Sequence, residues 1–160
     1  MTVRLRGHHL LCTLTYVGKG YSLAFTRNYD EVVARMRAGE AVEIVSGPDD
    51  ICAPLAGDAA AHCHAGSVVE RDGRALALLS ERTGLPLTPG TTIVPNATLW
   101  ALFRQALGEA GEAGPCRGCE WLRLCKAVVA CGFAPARLNF GSDRDARIVP
   151  AELTEHALST

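Results

Sequence analysis

The stretch Cys116-Arg117-Gly118-Cys119-Glu120-Trp121-Leu122-Arg123-Leu124-Cys125 places three cysteines within ten residues and organises the interpretation of the whole chain. A C-x2-C pair at a glycine turn brings two thiolates within reach of one ion or one edge of a cluster. The third cysteine follows six residues later, more than one helical turn away. Such a loop followed by a helix supplies three ligands and needs a fourth from elsewhere. We therefore expect a cysteine-ligated metal centre that ties the domain together.

Cysteine ligands are compatible with either an iron–sulfur cluster or a zinc ion. Cubane clusters take four cysteines, which favours a 4Fe–4S iron–sulfur cluster. Zinc also accepts four thiolates or a mixture of thiolates and imidazoles, so a structural zinc ion is the alternative. A redox dithiol would leave the third cysteine unexplained. Trp121, next to the cysteines, is expected to exclude water from the centre.

The fourth ligand is expected from the upstream part of the chain. Cys131 comes six residues after Cys125 in a stretch with a helical pattern, where positions six apart point in different directions. The candidates are therefore Cys12, Cys52 and Cys63. Each one alone is more typical of a small buried apolar residue. A second site, in which one of these cysteines binds a metal together with a histidine, is a further alternative.

Two histidines and an acidic pair are candidates for catalysis. His8 and His9 stand four and three residues before Cys12 in a segment predicted to be helical, so all three can face one point. A histidine can serve there as ligand, base or partner of a nucleophile. Asp50, beside Asp49, can bind a cation or act as general acid or base. The alternatives are a histidine hydrogen-bonded within the core and an aspartate that caps the next turn.

Composition limits the classes of function. The 160-residue chain is 48% hydrophobic and 21% charged, which fits one globular domain. Its net charge of −1 argues against a nucleic-acid partner bound through a broad basic face. No signal peptide and no membrane-spanning stretch is visible, so we expect a cytoplasmic protein. Thiols stay reduced there, and the seven cysteines are interpreted as ligands or reactive thiols.

The pattern along the chain predicts a mainly helical α+β domain with a short strand or small sheet. Helices are expected over residues 7–17, from an N-cap at Ser22 to Arg37, over 68–82 and over 97–110, with a strand at 41–45. Residues 1–133 are assigned to the metal-binding domain. Residues 134–160 turn polar and are expected to form a loosely packed tail.

Five separated motifs carry a resemblance to a known family. They are Arg6-Gly7-His8-His9-Leu10-Leu11-Cys12, Gly18-Lys19-Gly20-Tyr21-Ser22, Asp49-Asp50-Ile51-Cys52, His62-Cys63, and Cys119-Glu120-Trp121 with Cys125. In this order they resemble a small family of bacterial and archaeal proteins, labelled a domain of unknown function and proposed to bind an iron–sulfur cluster. The resemblance runs from Arg4 to Cys125. It implies functional positions at His9, Cys12, Cys52, Cys63, Cys116, Cys119 and Cys125.

The family assigns no reaction, and this chain departs from its pattern at one place. Many members carry extra cysteines just after the position of Cys52, where this chain has Ala53-Pro54-Leu55. That difference argues against a second cluster there, and Cys131 lies outside the pattern. The first hypothesis is an iron–sulfur protein that acts as electron carrier, sensor or accessory with a redox partner protein. A zinc-stabilised binding module and an enzyme built on the histidines are the alternatives. The sequence sets no oligomeric state.

Overall fold

The structure is a computed structural model in which residues 2–57 and 65–140 are described. The strands are β1 (Val3–Arg6), β2 (Val42–Val45) and β3 (Thr92–Ile93). The helices are α1 (Gly7–Thr15), α2 (Leu23–Arg37), α3 (Gly66–Thr83), α4 (Ala97–Ala110) and α5 (Leu122–Ala130). Single 3-10 turns lie at Ala53–Leu55 and Gly111–Ala113. The predicted α+β class, mainly helical with a small sheet, is confirmed.

The sheet lies on one side of the helices and delivers α1 into the core. Its strand order is β1-β2-β3, with β2 parallel to β1 and antiparallel to β3. Val3 pairs with Val42, and both side chains are fully buried. Arg4 on the other face is exposed. Since Arg6 ends β1 and Gly7 begins α1, the chain enters the interior directly from the strand.

Helix α1 is the central element of the core. It packs against α3, α4 and α5, and Leu10, Leu11 and Leu14 are at most 1% exposed. The helix was predicted to continue to residue 17 but ends at Thr15. Tyr16 instead takes an extended conformation, and its carbonyl accepts a hydrogen bond of 2.8 Å from the backbone N–H of Arg137. A tertiary hydrogen bond therefore replaces the last helical turn.

The other helices begin and end close to where local sequence signals predict. Ser22 caps α2 by accepting a hydrogen bond of 3.1 Å from the N–H of Phe25. Asn96 caps α4 in the same way. Gly84, with φ of 71°, ends α3 in the left-handed conformation that glycine adopts without steric penalty. The predictions for α2 and α4 are confirmed to the residue at their C-terminal ends.

The chain after α5 returns to the core. Ala136 and Leu138 are buried, and Phe140 packs edge-on against Trp100 at 5.6 Å between ring centres. Arg104 on α4 donates a hydrogen bond of 2.8 Å to the carbonyl of Leu138. The greater part of the predicted tail, residues 141–160, lies outside the described residues. Among the described helices, none is long and apolar enough to span a membrane.

Candidate metal centre

The cysteine-rich loop forms a tight turn that hands the chain to α5. The N–H of Cys119 donates a hydrogen bond of 2.9 Å to the carbonyl of Cys116, and the N–H of Leu122 donates one of 3.2 Å to the carbonyl of Cys119. Gly118 permits the turn with φ of 78°. Cys125 then lies on the first turn of α5. The loop and the helix therefore present three thiols to one side.

Cys12 on α1 lines the same cavity as Cys116, Cys119 and Cys125. Burial raises the pKa of Cys12 well above its ordinary value, and the neighbouring sulfurs of Cys125, Cys116 and Cys119 raise it further. The same two causes raise the pKa of Cys116 to about 11 and that of Cys125 to about 12. Thiolates at Cys12, Cys116 and Cys125 would repel one another in this buried place, and binding of a cationic centre would stabilise them.

The cavity between these cysteines has a volume of about 120 Å³. Roughly 10–15 Å³ is enough to admit one water molecule, so the space suits a group of several atoms. Among the described residues, no three cysteine Sγ atoms all lie within 4.8 Å of one another. The four thiols therefore surround a space instead of meeting at one point.

Three hydrogen-bond donors face this space beside the sulfurs. The hydroxyl of Thr15 donates to Cys125 Sγ at 3.1 Å. The hydroxyl of Tyr29 and the Nε of Arg71 are buried, line the same cavity with their side chains, and have no hydrogen-bond partner among the described residues. Buried donors are normally paired. Their arrangement therefore suits an occupant that carries negative charge and accepts hydrogen bonds.

Aromatic residues close the outer side of the cavity. Trp121 donates a hydrogen bond of 2.9 Å from Nε1 to the hydroxyl of Tyr21, and the two rings meet edge-on at 5.4 Å. Tyr21 in turn donates to the carboxylate of Glu120. This contact joins the segment between α1 and α2 to the cysteine loop. Trp121 therefore lines the cavity beside the cysteine loop, and its role as a shield against water stays a prediction.

A second feature of the cavity is a pair of histidine–aspartate contacts. His8 Nδ1 lies 2.6 Å from Asp72 Oδ1, and His9 Nδ1 lies 2.7 Å from Asp49 Oδ2. The two imidazole rings are 4.3 Å apart by their centres. Both rings line the cavity, and the nitrogen left over in each is Nε2. An aspartate on Nδ1 holds the tautomer in which Nε2 has a free lone pair.

In the contact between His8 and Asp72, burial and charge keep the histidine neutral and the aspartate ionised. Burial lowers the pKa of His8 to about 4, although its bond to Asp72 acts in the opposite direction. Burial alone would raise the pKa of Asp72, but hydrogen bonds from His8 and Arg6 outweigh it and lower the pKa to about 2. At neutral pH the contact therefore joins a neutral imidazole to a carboxylate.

Arg6 and Gly7 explain why the histidines hold these positions. The N–H of Arg6 donates 2.8 Å to Asp49, while its fully buried guanidinium donates to Asp72 from Nε at 2.9 Å. Gly7 lies so close to α3 that an added Cβ would stand 2.5 Å from the carbonyl oxygen of Asp72. One arginine and one glycine thus fix α1 between the two aspartates.

Three of the remaining predicted residues, Asp50, Cys52 and Cys131, do not line the cavity. Asp50 accepts a hydrogen bond of 2.9 Å from the N–H of Arg4 and lies 3.6 Å from Arg35. It is therefore Asp49, not Asp50, that contacts a histidine. Cys52 is buried behind His9, and Cys131 ends α5. Cys63 lies outside the described residues.

His9, Asp49 and Cys52 have ligand atoms within 4.8 Å of one another, but their contacts suit a hydrogen-bond network better than a metal site. Asp49 Oδ1 accepts from the N–H groups of Ile51 and Cys52, at 3.0 and 3.2 Å. Its Oδ2 accepts from Arg6 and His9. A carboxylate offers about four acceptor positions, and all four are used here. Asp49 caps its turn and orients His9.

Sequence reasoning missed Asp72, Tyr29, Thr15 and Arg71. Asp72 is one acidic residue among several on α3, and its contact with His8 becomes evident from the packing of α1 against α3. Tyr29 lies among the buried residues of α2, as an apolar side chain at that position would. Nothing in the sequence indicates that it lines the same cavity as the cysteines.

Residues 20–125 match a protein family described as "Protein of unknown function (DUF1284)". The chain belongs to this family. The DUF1284 match includes Cys52, Cys116, Cys119 and Cys125 and begins after Cys12. No curated protein and no solved structure shows significant similarity to the chain. The expected membership in a family of unknown function is thus confirmed, while the expected cluster remains a prediction.

Proposed function

We propose that this DUF1284 protein binds one iron–sulfur cluster of the 4Fe–4S type through Cys12, Cys116, Cys119 and Cys125. The observation that carries the proposal is that these four cysteines, from α1 and from the loop and first turn of α5, line one cavity. Four cysteines are the ligand set of a cubane cluster. Cys12 is then the fourth ligand among the three upstream candidates.

Size and spacing favour a cluster over zinc. Four thiolates around one zinc ion, at Zn–S of about 2.3 Å, place their sulfurs roughly 3.8 Å apart. The cavity that the cysteines help to line has a volume of about 120 Å³, and no three of their Sγ atoms fall within 4.8 Å of one another among the described residues. Binding of a single ion would require the α1 and α5 segments to move together.

Charge supports the same choice. A cluster held by four thiolates is anionic, and the cavity supplies the donors Thr15, Tyr29 and Arg71. When bound, the cluster supplies one-electron transfer. The protein would bind it, donate hydrogen bonds to its sulfurs and exclude water through Trp121 and Tyr21. We place this role in the cytoplasm, as electron carrier, sensor or accessory that meets a redox partner protein.

The test is the metal content of protein purified without oxygen. We expect about four irons and four acid-labile sulfides per chain, with a broad absorption band near 400 nm that is lost in air. Cys12→Ser should reduce iron and sulfide sharply. Cys131→Ser, which changes a cysteine away from the cavity, should leave both unchanged. One zinc per chain with no sulfide, even after reconstitution with iron and sulfide, would exclude the cluster.

The two histidine–aspartate contacts favour a second candidate, an enzyme in which His8 and His9 move protons for a substrate beside the cluster. An imidazole held by an aspartate at Nδ1 and open at Nε2 is the arrangement of a general base. A reaction found by screening reduced protein against small substrates should disappear in His9→Gln while iron content stays constant. Full turnover by His9→Gln and by His8→Gln would exclude this role.

A further inference from the structure

Tyr29 is a buried donor whose partner is missing from the described residues. The side chain is 5% exposed, its ring stacks on Tyr16 at 3.7 Å, and Phe25 meets it edge-on. Its hydroxyl makes no hydrogen bond to any described residue. Leaving a buried hydroxyl unpaired costs about 1–3 kcal/mol. A phenylalanine would fill the same place without that penalty, so the hydroxyl requires an explanation.

The surroundings of Tyr29 indicate where its partner lies. The residue lines the cavity together with the four cysteines. Burial raises its pKa well above the ordinary value, and the charges of Cys12, Asp49, Cys125 and Tyr16 raise it further. All four acceptor positions of Asp49 are already used by other donors. Because the hydroxyl has no hydrogen-bond partner among the described residues, the acceptor that remains is a group bound in the cavity.

The structure already contains one hydrogen bond from a hydroxyl group to a cysteine sulfur of this cavity. Thr15, on the same helix as Cys12, donates its hydroxyl to Cys125 Sγ at 3.1 Å. Thr15 is itself 3% exposed, so that bond is shielded from water. Hydrogen bonds to cluster sulfurs stabilise the reduced, more negative state and are one of the factors that set reduction potentials.

We propose that the Tyr29 hydroxyl donates a hydrogen bond to the cluster bound in the cavity and, together with Thr15, raises its reduction potential. This inference rests on the proposed cluster. It adds that the hydroxyls of Tyr29 and Thr15 help to set the reduction potential of the centre.

The experiment compares Tyr29→Phe with Tyr16→Phe in cluster-loaded protein. The two rings stack on each other, but the hydroxyl of Tyr16 donates elsewhere, to Thr26 at 3.1 Å and Asp30 at 2.9 Å. Loss of one hydrogen bond to the reduced centre should make reduction about fivefold to tenfold less favourable. At about 59 mV per tenfold this is a midpoint potential lower by roughly 40–60 mV. Tyr16→Phe should leave the potential unchanged.

Two further measurements complete the test. Thr15→Val, which removes the other hydroxyl at nearly constant shape, should also lower the potential. In protein without the cluster, Tyr29→Phe should be as stable as the wild type or more stable, because it removes an unpaired buried group. A normal iron and sulfide content with an unchanged potential in Tyr29→Phe would overturn this inference alone. Absence of sulfide from the wild type would overturn the proposed function itself.

Discussion

Replacement of Gly7 by alanine tests whether the close approach of α1 to α3 holds the histidines in place. An added Cβ would lie 2.5 Å from the backbone oxygen of Asp72 and 2.8 Å from Cγ of Leu76. Neither atom is the end of a flexible side chain, so α1 must shift. Forced packing of this kind costs about 1–3 kcal/mol. The gain of alanine over glycine in a helix, about 0.5–1 kcal/mol, offsets part of it.

The expected net loss of stability for Gly7→Ala is therefore roughly 1–2 kcal/mol. For a chain of this size it corresponds to a Tm lower by roughly 2–8 °C. Thermal unfolding of metal-free protein followed by circular dichroism measures it. Gly73→Ala is the matched control, because Gly73 lies within α3 and an added Cβ would meet nothing within 4 Å. That variant should gain about 0.5–1 kcal/mol.

Opposite signs for the two glycines would support the packing argument, and equal stabilisation would refute it. If Gly7→Ala loses stability, the hydrogen bond between His8 and Asp72 should also be disturbed, because the shift of α1 against α3 changes the position of one partner relative to the other. The ¹⁵N chemical shifts of the His8 ring report this directly, since they distinguish a proton on Nδ1 from one on Nε2. If Gly7→Ala is destabilised but the His8 tautomer is unchanged, then the packing of α1 against α3 does not determine the orientation of the histidine.

Three further predictions concern the same region and one helix cap. The pKa of His8 is 6.5 in the unfolded chain and about 4 in the folded protein, so the free energy of unfolding in urea should fall as the pH drops between these values. In His8→Gln this part of the pH dependence of stability should be absent. Arg6→Met should cost about 3–5 kcal/mol, because it leaves the Asp72 carboxylate without its buried cation; a loss under about 1 kcal/mol in urea unfolding would contradict this. Asn96→Ala removes the cap on the N–H of Leu99 and should lower the free energy of unfolding by about 1 kcal/mol, whereas an unchanged urea midpoint would show that the cap contributes nothing.

The helices could be predicted because their signals are local. Ser22 caps α2, and the apolar stripe from Phe25 to Met36 is buried as its spacing indicates. The strand predicted at residues 41–45 appears as Val42–Val45. Each of these signals lies within about one or two turns of the residues that it positions.

The sheet partners could not be predicted from local pattern. Strand β1 has four residues and β3 has two, both too short to show an alternation that stands out. Arg6 makes β1 harder to identify, because a charged residue in a strand is expected to face solvent and this one is fully buried. Its ion pair with Asp72, on a helix much later in the chain, offsets the cost of its burial.

At the candidate site, sequence spacing identified the cysteines but not their surroundings. The C-x2-C loop could be interpreted locally, and Cys12 was one of three open candidates for the fourth position. Selecting it required the packing of α1 beside α5. The partners of the histidines followed the same rule, since Asp49 and Asp72 reach them only through tertiary contacts.

The cavity is assembled from α1, which precedes the family region, and from the cysteine loop and α5 at its end, and this determines when it can form. During synthesis Cys12 leaves the ribosome early, and Cys125 emerges only after α2, α3 and α4 have followed. Until then the other three cysteines that line the cavity have not joined Cys12. The four-cysteine cavity can therefore form only after the chain has been synthesised through α5.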